Sequence, residues 1–238
     1  MARTVGVVGG MGPRATADFF SKLIECTPAE RDQDHLRVLI DNNPQIPDRS
    51  AFIFGRGPDP TPEMIATARN LEAAGADLLV IPCNTAHHFL EAIRRSVGIP
   101  VLDITEVVAQ AAAERVADLR SVGVLATRAT VATGLYERAF GCRNVSVLVP
   151  PDDLQERVNR AIWAVKAGRA DATVRKWVRR AGRELVDRGV QGIVLGCTEL
   201  PLVVDPQEWS VPVFDSTGLL ARAAVRAAWE PEPASVGV

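Results

Sequence analysis

The chain repeats itself, and the repeat restricts the folds open to it more than any other feature. TVGVVGG from Thr4 resembles SVGVLAT from Ser121. GADLLVIPCNT, which holds Cys83, resembles VQGIVLGCTE, which holds Cys197. GIPVLDITEVVAQAAA from Gly98 resembles SVPVFDSTGLLARAAV from Ser210, with Pro, Asp and Thr in register. The three pairs keep their order and their separation drifts slowly, as a duplicated half with small insertions and deletions would.

Short apolar runs alternate with longer helical patterns in both copies. TVGVVGG, LRVLIDN, DLLVIP and PVLDI read as strands in the first, and SVGVLA, VSVLVP, GIVLG and PVFD in the second. RATADFFSKLIEC, PEMIATARNLEAAG, AHHFLEAIRRSV, VATGLYERAF and the stretch 152–189 read as helical. The alternation predicts an α/β fold with parallel sheets. Duplication makes it two pseudo-symmetric lobes, each a parallel sheet flanked by helices. The terminal PEPASVGV is expected to be a loose tail.

Composition narrows the function. Of the 238 residues, 47% are hydrophobic and 24% charged, which is too apolar for disorder. A net charge of -2 argues against a nucleic-acid partner. No apolar run approaches the ~20 residues of a membrane span. MARTVGVVGG lacks the layout of a signal peptide, so a cytoplasmic protein with reduced thiols is expected. Its four cysteines, Cys26, Cys83, Cys142 and Cys197, show no CxxC spacing.

Two of these cysteines carry the repeat. Ligands of open parallel sheets bind beyond the carboxyl ends of the strands. Cys83 and Cys197 each lie just past such an end, followed by polar residues suited to helix capping: Asn84 and Thr85, and Thr198. If the lobes face each other, the two thiols meet across a cleft. A helix N-terminus would lower a thiol's pKa from ~8.5 and make the thiolate available. Inverting a carbon centre by proton exchange needs a base on one face and an acid on the other, with roles reversed for the return. A matched thiol pair meets that need. A thiol hydrolase would instead pair one nucleophile with an imidazole, and the chain has only three histidines. A two-lobed binding protein without turnover would need the cleft but not both thiols.

VGVVGGMGPRAT, NNPQIPDR, PCNTAHHF and GCTELPL resemble the aspartate racemases of the cofactor-independent Asp/Glu racemase superfamily. The resemblance runs from about Val5 to the helix ending near Trp229, and GGMGP with IPDR points to the aspartate branch. It implies a chain that crosses over and back, with residues 1–98 and 211–238 in a first lobe and 99–210 in a second. It also implies a cleft active site, catalytic Cys83 and Cys197, and neither pyridoxal phosphate nor metal. Asn84, Thr85 and Thr198 would hold the α-carboxylate and ammonium of an amino-acid substrate. Arg49 and Lys166 would bind its side-chain carboxylate. Thr127 stands in the turn LATRATVATG, which faces the cleft in the family. Relatives more often carry small or hydroxyl residues where Arg128 and Ala129 stand, so Arg128 is expected to reshape the pocket. The expected assembly is a homodimer. Glutamate or another amino acid is the alternative substrate.

Read by themselves, these residues leave alternatives open. GGMGP lacks a nucleotide-binding spacing and suits close backbone approach to a small anion, with Gly10 and Gly12 offering N–H groups. Met11 walls the cleft or fills the core. Thr16 is a first-turn residue. Arg49, in a polar, proline-punctuated loop, holds a carboxylate through two parallel bonds or sits in solvent. Asn42 and Asn43 orient that loop equally well. Lys166, one of three lysines among 27 basic residues, ends a helical pattern where the dipole favours a cation anyway. Glu199 accepts a substrate ammonium or favours a helix N-terminus. His87 follows Cys83 at helical spacing, but with Cys197 it gives at most three zinc ligands and no closely spaced second pair. Cys26 and Cys142 lack the strand-end context and read as structural.

Overall fold

The computed structural model describes residues 2–229, so the PEPASVGV segment lies outside it. The first half runs β1 (Val5–Gly9), α1 (Pro13–Cys26), β2 (Val38–Asn42), α2 (Arg49–Ile53), α3 (Thr61–Ala73), β3 (Leu78–Val80), α4 (Leu90–Arg94) and α5 (Ile104–Arg115). The second runs β4 (Ser121–Ala126), α6 (Arg128–Ala132), α7 (Leu135–Gly141), β5 (Ser146–Leu148), α8 (Asp152–Lys166), α9 (Ala172–Asp187), β6 (Ile193–Gly196), β7 (Val213–Asp215) and α10 (Ser216–Trp229).

Every strand pairing is parallel. One sheet has the order β2-β1-β3, extended by a bridge from Leu79 to Val101. The other has the order β5-β4-β6-β7. The two orders match strand for strand, as the sequence repeat requires. The central strands are buried throughout or nearly so, which is why they read as unbroken apolar runs.

The helices are exchanged between the sheets. After Val101, α5 sets Val108, Ala109 and Ala112 against Val122, Val124 and Tyr136 of the second half. After β7, α10 returns Leu220, Ala221 and Ala224 to Val5, Val7 and Phe19 of the first. Strand pairing thus puts Val101 with the first sheet and Val213–Asp215 with the second, whereas boundaries at 99 and 211 assign them the other way. At both crossings an aspartate turns the chain from strand to helix: Asp103 accepts from Thr105 N at 2.8 Å, and Asp215 from Thr217 N at 2.9 Å. The cap at Asp103 also shortens the expected PVLDI strand to its single bridge.

Two expected helices are each divided. VATGLYERAF breaks at Gly134, whose φ of 64° lies in the left-handed region, giving α6 and α7. The stretch 152–189 breaks after Lys166, and Asp171 caps a new helix by accepting from Thr173 N and Val174 N. Among the described residues no helix is long and apolar enough to cross a membrane.

The turn after β1 depends on Gly10. Its φ is 91°, and a Cβ there would collide with the Asn43 backbone beyond β2. Gly10→Ala should destabilise the fold by more than about 1 kcal/mol. Urea denaturation measures this, and an unchanged midpoint would contradict the strain.

Candidate active site

Residues just past the carboxyl ends of β3, β4 and β6 meet across the interface between the sheets. One small cavity, about 20 Å3, receives side chains from both halves. Met11, Arg49, Cys83, Asn84 and Thr85 line it from the first, and Thr127, Lys166, Cys197, Thr198 and Glu199 from the second. Gly12 stands behind them, where a Cβ would lie 3.6 Å from Glu199 Oε1 and 4.0 Å from Lys166 Nζ. The structure therefore brings the sequence-selected residues together. It adds three more: Asp48, Ser50 and Trp163. The first two flank Arg49. Trp163 lies one helical turn before Lys166, so its spacing was a usable signal.

Arg49 is not in a solvated loop. It opens α2, which is capped by Asp48 accepting from Ala51 N at 2.6 Å. Only 8% of Arg49 is exposed. Its guanidinium donates to the carbonyls of Ile46 at 3.0 Å, Pro47 at 2.7 Å and Met11 at 3.4 Å. Nε has no partner, and no carboxylate among the described residues forms an ion pair with Arg49. A buried cation without a counter-charge is costly and uncommon.

Lys166, by contrast, is paired: its Nζ lies 2.8 Å from Glu199 Oε1. Burial opposes its charge, but Glu199 and the nearby thiols Cys197 and Cys83 override that and raise its pKa. The other oxygen of Glu199 accepts from Cys197 Sγ at 3.1 Å and Thr198 Oγ1 at 3.4 Å. Burial and then Glu199 push the Cys197 thiol well above its ordinary value, against the pull of Lys166. This reverses the expected lowering of its pKa by a helix N-terminus. Only a short 3-10 turn, Leu200–Leu202, follows Cys197, too little aligned backbone for a useful dipole.

Hydroxyls and amides tie the halves together beside the thiols. Thr85 Oγ1 lies 3.2 Å from Thr127 Oγ1 and 2.8 Å from Thr130 Oγ1. Asn84 accepts from the Tyr136 hydroxyl at 2.5 Å and donates to Ser216 Oγ at 3.0 Å. His87 is buried on the backbone: Nε2 accepts from Ile104 N at 3.1 Å, so Nδ1 carries the hydrogen toward Cys83 O at 2.9 Å. Neither nitrogen is free to bind a metal. His88 is exposed and packs edge-on against Phe89.

Other expectations are revised. Gly10 N–H donates to Thr16 Oγ1 at 3.0 Å and Thr16 Oγ1 donates to Gly12 O at 3.1 Å, so Thr16 braces the turn and Gly10 offers no free donor. Arg128 is exposed and paired with Glu156 at 3.3 Å. With Ala129 it lines an outer cavity of about 620 Å3 that shares Asp48, Ser50 and Trp163 with the inner one, so it stands at the margin of the site rather than inside it. Cys26 is half-buried and Cys142 exposed, and neither lines the inner cavity.

A sequence profile of the Asp/Glu/hydantoin racemase family matches residues 8–224. The chain is 29% identical over 230 residues to the broad specificity amino-acid racemase RacX of Bacillus subtilis, spanning 93% of this chain and 96% of that one. It is 32% identical over 178 residues to a glutamate racemase of Corynebacterium kroppenstedtii, spanning 70% of this chain and 59% of that one. The solved structure of Picrophilus torridus aspartate racemase superposes with a TM-score of 0.83 at 31% identity, covering 95% of this chain and 94% of that one.

The His87 staple gives a pH prediction. Burial, opposed by Asp103, holds its pKa below the ordinary 6.5. The folded value thus lies below the unfolded one. The stability it contributes is complete above 6.5 and is lost as pH falls through the folded value. The urea midpoint should drop on acidification below 6.5, and less steeply in His87→Gln. Equal pH slopes for the two proteins would exclude His87 as the source.

Proposed function

The chain belongs to the Asp/Glu/hydantoin racemase family, and from that footing we propose that it interconverts L- and D-aspartate by exchanging the α-proton between Cys83 and Cys197. The buried, unpaired guanidinium of Arg49 in the same cavity as both thiols carries the choice of a dicarboxylic substrate. An anionic side chain is the ligand that would supply its missing charge. Lys166 already holds Glu199, so it adds a second, shared contact rather than a free cation.

One thiolate removes the α-proton while the opposite thiol delivers one to the other face. The α-carbon is a very weak acid and a thiolate a modest base, so carbanion charge must be stabilised. In this reading Asn84 and the hydroxyls of Thr85 and Thr198 hold the α-carboxylate and ammonium, Asn84 and Thr85 exchanging present partners for the substrate. At about 20 Å3 the cavity has room for roughly one water. Aspartate therefore needs the lobes to part for admission and to close again around it, which excludes water and strengthens each polar contact. No step in this reading draws on pyridoxal phosphate or a metal. Both thiols must stay reduced, as the expected cytoplasmic setting would keep them.

A homodimer belongs to the same proposal. The groove beside α10, where Val107, Ala111, Leu219, Val225 and Trp229 stand among the charged Glu114, Arg115, Arg222 and Arg226, supports it as a partly apolar face for a second copy. Sedimentation velocity tests this. The similarity to RacX supports a second reading, a wider amino-acid range.

Incubating the enzyme with each L-amino acid in deuterated water, and following the α-proton signal, separates these readings. Aspartate should lose its signal fastest. Cys83→Ser and Cys197→Ser should each abolish racemisation, whereas Cys26→Ser and Cys142→Ser should not. Racemisation at the parent rate by either site mutant would end the two-base proposal. Activity should survive exhaustive chelation, with no Schiff-base absorbance.

Arg49→Ala removes a charge-assisted contact worth ~1.5–3 kcal/mol. It should lower kcat/KM for aspartate roughly ten- to a hundredfold and leave turnover of alanine nearly unchanged. Arg49→Lys should also be impaired, because it keeps the charge and loses the planar fork. Equal losses for all substrates would place Arg49 outside substrate contact.

A further inference from the structure

The two halves share their strands, their strand order and their cysteines, yet differ two residues after each thiol. Glu199 follows Cys197 at the position that Thr85 takes after Cys83. The Thr85 hydroxyl is taken up by Thr127 and Thr130. The Glu199 carboxylate instead accepts from Cys197 Sγ at 3.1 Å, and its far oxygen is fixed by Lys166 at 2.8 Å. Glu199 is 3% exposed and Cys197 6%, so little water screens the contact. A thiol in this position donates a hydrogen bond. A thiolate would face a carboxylate across the same distance.

We propose that Glu199 is a positioning residue that keeps Cys197 protonated in the resting enzyme, leaving Cys83 to serve first as base. The consequence for turnover rests on the two-thiol chemistry proposed above. The Cys83 thiolate takes the α-proton, the electron pair stays on the α-carbon, and the Cys197 thiol gives its proton to the opposite face. The sum is one proton moved from Cys197 to Cys83, with no change of oxidation state. The Cys197 thiolate left behind is repelled by Glu199, so it recovers a proton from solvent while Cys83 releases the one it took, or both are restored together by a substrate of the other hand. The duplicated site is therefore symmetric in its thiols and polarised in where its proton rests. The other groups facing Cys197 are Lys166 from α8, Cys83 and Arg49 across the cavity, and the Tyr136 hydroxyl from α7, which burial keeps neutral.

Thiolate absorbance in the ultraviolet reads this without turnover. In a chain carrying Cys26→Ser, Cys142→Ser and Cys83→Ser, the titration reports Cys197 alone. Adding Glu199→Gln should lower its midpoint by about one pH unit or more. Adding Lys166→Met instead should raise it, because the carboxylate then acts unopposed, and this arm stands if Glu199→Gln folds poorly. With Cys197→Ser in place of Cys83→Ser, Glu199→Gln should leave the Cys83 midpoint almost unmoved. The alkaline limb of kcat in the direction that uses Cys197 as acid should move down with the Cys197 midpoint. An unmoved Cys197 midpoint, or equal shifts at both cysteines, would overturn the proposal. Absence of racemisation with the Cys197 shift intact would instead count against the racemase reading alone.

Discussion

Each sheet completes its core with a helix that the other sheet's last strand delivers, and the rest of the structure depends on that exchange. Without α10 the apolar side of β1 and α1 is open, and without α5 the same is true of β4 and α7. Burying ~25 cal/mol of stabilisation per Å2 on both faces of a parallel sheet is what holds such strands. The exchange sends two connectors across the interface and draws the carboxyl ends of the two sheets together. The cavity is where those ends meet, so its position follows from the packing of helices some distance away.

Electrostatics inside that cavity follows from how little water reaches it. Each charge there must find a partner in protein or substrate. Lys166 and Glu199 satisfy each other, Glu199 engages one thiol, and the hydroxyls of Thr85, Thr127 and Thr130 close on themselves. Arg49 is left with carbonyl dipoles and an idle Nε. One place in the site thus stays electrically incomplete, and it is on this that the proposed anionic ligand rests. The same exclusion of water that leaves Arg49 without a counter-charge makes Cys197 reluctant to ionise, so both groups answer to one physical condition.

Much of this was readable from the residues, for identifiable reasons. Strands such as VGVVG announce themselves because burial on both faces leaves only apolar residues. The two cysteines stand out because duplication marks equivalent positions. What escaped reading depends on distant neighbours. Nothing in NNPQIPDRS says that Met11, from another turn, will lie over Arg49 and bury it. The pKa of Cys197 was misjudged because a 3-10 turn, not a helix, follows it, and because Glu199 folds back on it. The turn gave Arg128 to the pocket but not its partner: Glu156 on α8 draws it to the outer cavity that adjoins the inner one. Helix breaks at Gly134 and after Lys166 lie within amphipathic runs that look continuous until the backbone is seen.

The exchanged helices also mean that this duplication cannot be undone by cutting the chain. A fragment ending at Arg120 would carry α5 with its apolar stripe uncovered and would lack the helix that covers β1. Two such fragments could satisfy each other only by trading their last helices, as a domain-swapped pair. Joining the copies in one chain turns that trade into an internal event. Its partner is then always present, at an effective concentration on the order of millimolar for a short linker.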